Sequence, residues 1–271
     1  MPIQIITMYC FFDELLKSLN YKDDAQVRLS TAEVMTVALV AAEFFTGNQQ
    51  AALDFLTSHH YLKPFSKSRF NRRLHALPES LWQFALFVLA QVHERTNTKH
   101  LYIVDTFPIP VCRNIRISRC KIYRDKVFRG YCASKKEYFY GLKACVIVTE
   151  TGQPVELSLV PGSVADITAL RNMSVALPAG STLFGDSGFL DGSFEKDLRQ
   201  EADIDLIVPR RKNMKEQLEG VIAFVCGRIR KRVETTFSQL TERMARSIHA
   251  VTPRGFELKI MLAVLAYNIA G

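Results

Sequence analysis

The hydrophobic period of the chain changes at Asn97-Thr-Lys99. Before that point apolar residues recur at helical spacing; after it they come in short runs closed by an acid, a glycine or a proline. Ser30-Thr-Ala-Glu33 is a capping box at the head of a strongly apolar run, and Pro78-Glu-Ser-Leu-Trp82 opens a second run at helical spacing. Residues 1 to about 95 therefore read as an all-α domain, and 96–271 as an α/β domain. Within the first, Asn48 to His59 and Ser66 to Leu77 are two short helical patterns. The second has Phe70, Leu74 and Leu77 as its apolar stripe, with Arg69, Arg72 and Arg73 facing away from it. A helix-turn-helix with its second helix in a DNA groove and a plain helical bundle with a basic surface both suit this pattern.

Past residue 100, Leu101-Tyr-Ile-Val104 reads as a short strand that ends at Asp105 and is closed by Phe-Pro-Ile-Pro110. Residues 112–136 are basic and irregular. Tyr140 to Thr149 and Val155 to Val160 read as strands around the turn Glu150-Thr-Gly-Gln-Pro154. Asp166 is placed to cap a helix over Ile167 to Val175, and Ser181-Thr-Leu-Phe184 is another strand, running into Gly185-Asp186. Gly192 to Glu201 reads as a helix and Ile204 to Val208 as a strand, so the order is βββαβαβ. From Cys226 to about Ala245 the stripe Ile229, Val233, Phe237, Leu240 and Met244 predicts a packed helix with Glu234 on the edge of its buried face. Thr252-Pro253 opens a last, largely buried helix.

With 271 residues, 48% of them hydrophobic and 23% charged, the chain is a globular protein long enough to bury a core and serve as an enzyme. The charge is segregated. Five basic residues and no acid lie between 60 and 75, twelve basic and three acidic between 95 and 145, and eight basic and three acidic between 209 and 235. The stretch 146–208 instead holds ten acids and three bases. Basic clusters interleaved with Tyr123, Phe128, Tyr131, Tyr138, Phe139 and Tyr140, under a net charge of +8, point to a phosphate backbone as partner. The six cysteines form no C-x-x-C pair, which argues against a zinc finger or ribbon. No leader or membrane span is visible, so free thiols and a cytoplasmic setting are expected.

Asp105 and Asp186, each ending a short apolar strand, suit neighbouring places at one sheet edge, and the 226–245 helix suits bringing Glu234 over them. Three converging carboxylates repel one another unless divalent cations sit among them, and hard oxygen donors favour Mg²⁺ or Mn²⁺. Two such ions can activate a water or a 3′-hydroxyl and stabilise the leaving oxygen of a phosphodiester. Taken singly, each acid also reads as an ordinary turn or cap residue, and Asp166 and Asp191 stay in that class.

Tyr-Ile-Val-Asp105-Thr-Phe-Pro-Ile-Pro, Leu-Phe-Gly-Asp186-Ser-Gly-Phe and Arg230-Lys-Arg-Val-Glu234-Thr-Thr-Phe resemble the three acidic motifs of bacterial insertion-sequence DDE transposases. Tyr140-Gly-Leu-Lys143, Pro161-Gly-Ser-Val-Ala-Asp166 and the 47 residues between Asp186 and Glu234 add to the likeness, which covers roughly residues 100–250. The resemblance implies an α/β, ribonuclease-H-like mixed sheet flanked by helices, behind an all-α N-terminal domain. It implies catalytic, metal-holding roles for Asp105, Asp186 and Glu234, with a pair of Mg²⁺ or Mn²⁺ ions. It also implies binding of terminal inverted repeats, cleavage at the element ends, 3′-OH transfer into target DNA, and a dimer or larger assembly near the nucleoid. Arg230, one turn before Glu234, matches an arginine often found there. The chain departs from the commoner signature at Gly227 and Thr241, where that signature has Tyr and a basic residue.

The DNA contacts expected of the basic clusters are Arg69, Arg72, Arg73, Lys121, Arg124, Lys143, Arg210, Arg211 and Arg230. A ribonuclease-H-like endonuclease that cuts without joining is the nearest alternative, and a domesticated, non-transposing DNA-binding protein the next. A tyrosine recombinase is disfavoured because His249 is followed by Ala-Val-Thr where His-x-x-Arg is needed. Cys112 and Cys145 lack a histidine at an elbow, which disfavours a cysteine hydrolase.

Overall fold

A computed structural model describes residues 1–133, 136–210, 231, 233–242 and 248–270. The chain divides into two compact units, Met1–Leu89 with Leu240–Gly271, and Ala90–Gln239.

In the first unit, α1 (Pro2–Ser18), α2 (Thr31–Phe44), α3 (Gln49–Ser58) and α4 (Lys67–Ala76) precede α5 (Glu79–Glu94), whose last turn belongs to the second unit. The capping box forms as expected: Ser30 Oγ accepts from the Glu33 amide at 3.1 Å, and the Ser30 amide donates to Glu33 Oε2 at 2.6 Å. It starts a helix buried on nearly every side from Thr31 to Ala42, the signature of a central helix rather than an amphipathic surface one. Both α1 and the last helix, Pro253–Ala270, pack on α2. The Phe12 ring meets Trp82 edge-on at 6.1 Å.

The second unit is built on one six-stranded sheet: β1 (Leu101–Cys112), β2 (Arg129–Cys132), β3 (Glu137–Thr149), β4 (Pro154–Pro161), β5 (Ser181–Phe184) and β6 (Ile204–Ile207). β1, β3 and β4 form an antiparallel meander, while β5 runs parallel to β1 and β6 parallel to β5. The order across the sheet is β4–β3–β1–β5–β6, with β2 pairing the start of β3. α6 (Asp166–Arg171) and α7 (Gly192–Ala202) cross between the later strands. Antiparallel meander, parallel extension and helical crossovers make this a ribonuclease-H-like α/β fold behind a helical N-terminal region, as expected.

Strand alternation sorts the two faces. Tyr102, Val104, Cys145, Ile147 and Leu183 lie in one buried cluster with Leu170 of α6, Leu198 of α7 and Phe189. Ile103, Phe107, Leu142 and Val146 are buried on the opposite face.

Three local expectations are corrected. β1 does not stop at Asp105 but pairs with β3 as far as Cys112, through Pro108 and Pro110. Proline cannot donate to a ladder, yet β5 accompanies β1 only along Leu101–Ile103, so beyond that point no strand among the described residues needs donors from the side of β1 away from β3. A bulge follows Pro110, and Gly141 lies against it so closely that a Cβ would stand 2.2 Å from the Ile109 carbonyl oxygen. The basic stretch 112–136 is not wholly irregular, since it holds two short 3₁₀ turns and β2. α6 ends at Arg171 rather than Val175.

Candidate active site

Ile103 of β1 pairs with Phe184 of β5, the last couple of that parallel ladder. Asp105 stands two residues further along β1, and Asp186 two residues past the end of β5, at the head of a turn, so the ladder brings their two segments side by side just before each acid. Each carboxylate is oriented by backbone. Asp105 Oδ1 accepts from the Thr106 amide at 2.7 Å, and Asp186 Oδ1 accepts from the Gly188 amide, also at 2.7 Å, at the head of a 3₁₀ turn over Ser187–Phe189.

The third acid arrives on a helix. Residues 233–242 are helical (α8), with Val233, Phe237 and Leu240 buried and Glu234 exposed. Phe237 packs on Phe107 with ring centroids 4.7 Å apart. Phe107 follows Asp105 by two residues on the same face of β1, and Phe237 follows Glu234 by three, on the same side of the helix. The contact therefore sets the Glu234 segment against the face that carries Asp105. Thr236 Oγ1 also donates to the Gly152 carbonyl at 3.3 Å. The predicted helix lies outside the described residues at 226–230, 232 and 243–245, which takes in Ile229, Arg230 and Met244.

The family model for the transposase DDE domain matches residues 95–250, a span that contains all three acids. The chain belongs to the DDE transposases. No curated protein and no solved structure matches it.

DDE transposases generally work with divalent metal ions. Among the described residues, no three His, Cys, Asp or Glu side chains stand close enough to grip an ion by themselves. The donor chemistry nonetheless fits. Mg²⁺ keeps several waters and takes one or two carboxylates plus substrate phosphate oxygens rather than a closed protein cage. Asp105 and Asp186, each half-buried and oriented by a backbone amide, are donors of the type such a partial shell uses.

On the other face of β1 the transposase carries a polar cluster that the sequence patterns miss. Asp166 was expected to cap its helix; instead it is the first residue of α6 and makes no cap bond. Its Oδ1 accepts from Thr106 Oγ1 at 2.7 Å and from Lys143 Nζ at 2.9 Å. Lys143 Nζ also donates to the Val164 carbonyl at 2.8 Å. Burial, then the charges of Asp166 and Asp105, push the nearby Cys145 thiol up to about 12, so it stays protonated and inert. Asp191 does cap its helix, accepting from the Ser193 and Phe194 amides.

The basic residues divide by what they touch. Arg69 and Arg72 are exposed on α4, but Arg73 is half-buried and pairs with Asp23 at 2.9 Å and with Thr31 Oγ1 at 3.1 Å. Lys121 and Arg124 are exposed and line a cleft of about 560 Å³ together with Arg119, Lys126 and Arg129. Asp125, also at the cleft, uses its carboxylate on the Val127 amide. Arg210 makes a bidentate pair with Glu195 at 2.8 and 2.7 Å. Arg211 and Arg230 lie outside the described residues. Among the described residues no helix is long and apolar enough to cross a membrane.

Proposed function

We propose that this DDE transposase serves an insertion sequence: it binds terminal inverted repeats, cleaves at the element ends and transfers the resulting 3′-OH into target DNA. Asp105, Asp186 and Glu234 are the residues that would hold two Mg²⁺ or Mn²⁺ ions. The observation that carries this reading is the Ile103–Phe184 couple, which leads into the segments of Asp105 and Asp186, together with the packing of the Glu234 helix on Phe107.

When bound, the ions supply a lowered pKa for the attacking water or hydroxyl and charge stabilisation at the leaving oxygen. The chain's own residues supply orientation. The Thr106 and Gly188 amides fix the two aspartates, so they need little reorganisation when a phosphodiester arrives. Exposed Lys121 and Arg124, with their neighbours in the cleft, offer several positive charges to a duplex backbone, and Arg69 and Arg72 on α4 offer two more. A synaptic assembly of two or more copies follows from the need to hold both element ends.

The test is to incubate the protein with the DNA flanking its gene and Mg²⁺, map 3′ nicks, and then look for joined products on a target plasmid. Nicks at the borders of inverted repeats followed by joining support the proposal. Nicks without joining make the protein an endonuclease, and DNA binding without nicks makes it a regulator.

A further inference from the structure

We infer that Asp166 and Lys143 form a positioning pair for the two proposed metal-facing aspartates, reaching Asp105 through Thr106 from the other face of β1 and lying beside the Gly188 segment that orients Asp186; the inference rests on the proposed roles of Asp105 and Asp186. Thr106 is the hinge of the link to Asp105. Its amide holds Asp105 Oδ1 at 2.7 Å while its hydroxyl, pointing to the other face, is held by Asp166 Oδ1 at 2.7 Å. A peptide whose side chain is anchored cannot rotate freely, so the Asp105 carboxylate is held through it. Asp166 also lies beside Gly188. The Gly188 amide holds Asp186 Oδ1, and a Cβ placed on that glycine would stand 2.9 Å from Asp186 Oδ1 and 2.9 Å from Asp166 Oδ2. Asp166 thus abuts both segments that carry Asp105 and Asp186.

Lys143 makes this placement tolerable. An extra carboxylate beside two others raises their mutual repulsion, and a cation between them offsets it. The Lys143 side chain is only 13% exposed, and its ammonium is committed to Asp166 and to the Val164 carbonyl. Its register explains how it reaches: β3 pairs Lys143 with Pro108 and Cys145 with Thr106, so Lys143 and Thr106 share one face two residues apart. The assignment gives Lys143 a task other than the DNA contact expected from its charge.

The experiment uses the full chain and two readouts. Mn²⁺ binding is followed by electron paramagnetic resonance without DNA, and the Mn²⁺ dependence of cleavage is followed with it. Partners that orient metal ligands are worth roughly 10–100-fold in metal affinity. Asp166→Ala and Thr106→Val should each weaken Mn²⁺ binding by about that factor, and the double variant should be no worse than either alone. Thr106→Ser, which keeps the hydroxyl, and Asp166→Asn, which keeps the acceptor oxygen, should both restore binding to within a few-fold. Wild-type binding in Thr106→Val overturns the inference, as does simple additivity in the double variant. An equal loss in Asp166→Asn overturns it in favour of Asp166 as a ligand. Asp105→Asn is the control: if it binds Mn²⁺ like wild type, the proposed metal site itself fails. A normal Thr106→Val beside a defective Asp105→Asn removes only the positioning pair. Should Asp166→Ala not fold, the Thr106→Val and Thr106→Ser comparison decides.

Discussion

The Phe107 and Phe237 rings stack at 4.7 Å, tilted by 49°, and this contact ties the helix of Glu234 to the strand of Asp105. Both side chains are buried, at 5% and 8% exposure. Phe237→Ala should destabilise the second unit by about 3 kcal/mol, the usual cost of truncating a buried aromatic. It should also lower cleavage, because the helix loses its fixed distance from β1. Phe237→Leu should recover most of both. Urea unfolding alongside single-turnover cleavage checks this, and a Phe237→Ala protein as active as wild type would free Glu234 from dependence on the contact.

Replacing Asp105, Asp186 or Glu234 by Ala should abolish Mg²⁺-dependent cleavage while leaving DNA affinity within a few-fold of wild type. The exposed Lys121 and Arg124 that would meet phosphates are other residues. Gel-shift titration and cleavage on the same preparations separate the two effects. Cleavage retained by any one variant removes that residue from the site.

Salt dependence tests α4. Arg69 and Arg72 are exposed, so changing both to Gln should lower the slope of log affinity against log salt by about two units if each meets a phosphate. Arg73→Gln should leave the slope alone and reduce stability, because its guanidinium is occupied by Asp23 and Thr31. An unchanged slope in the double variant would make the helix part of a plain bundle.

Stability should depend on pH through Glu156. Burial, with the Glu94 charge adding to it, pushes this carboxyl up to about 7 from an ordinary 4.5, against a backbone amide at Ala176 that favours the anion. The folded chain therefore holds the proton more tightly than the unfolded one. The stability this lends is fully present below pH 4.5 and is lost as pH rises through about 7. Glu156→Gln should remove that dependence and gain about 1–2 kcal/mol at pH 8.5 relative to pH 4, after discounting for partial exposure. Thermal melts across that range would show parallel curves for the two proteins if Glu156 does not titrate as described.

The strands that lead to Asp105 and Asp186 were legible because a short, β-type apolar run keeps its meaning in most contexts. The Ser30–Glu33 capping box and the helix stripes were legible for the same local reason. The true length of β1 was not, since Pro108 and Pro110 read as a stop until the limited reach of β5 is known. Cations were the least legible of all. Nothing near Arg73, Lys143 or Arg210 in the chain announces that Asp23, Asp166 or Glu195 will meet them across 50, 23 and 15 residues. Asp166 misled for a related reason: an acid before a helix reads as a cap, and only the sheet shows Thr106 and Lys143 taking its oxygen.

Asp105, Asp186 and Glu234, distant in sequence, would attend one shared site of two metal ions. Iron-directed backbone cleavage tests it most directly: Fe²⁺ replaces Mg²⁺ in the DNA-bound protein, ascorbate and peroxide are added, and the peptide fragments are mapped. Cuts should cluster near residues 105, 186 and 234, be suppressed by excess Mg²⁺ and be absent in Asp105→Ala. Cuts near 105 and 186 with none near 234, or cuts confined to other segments, would contradict a shared site.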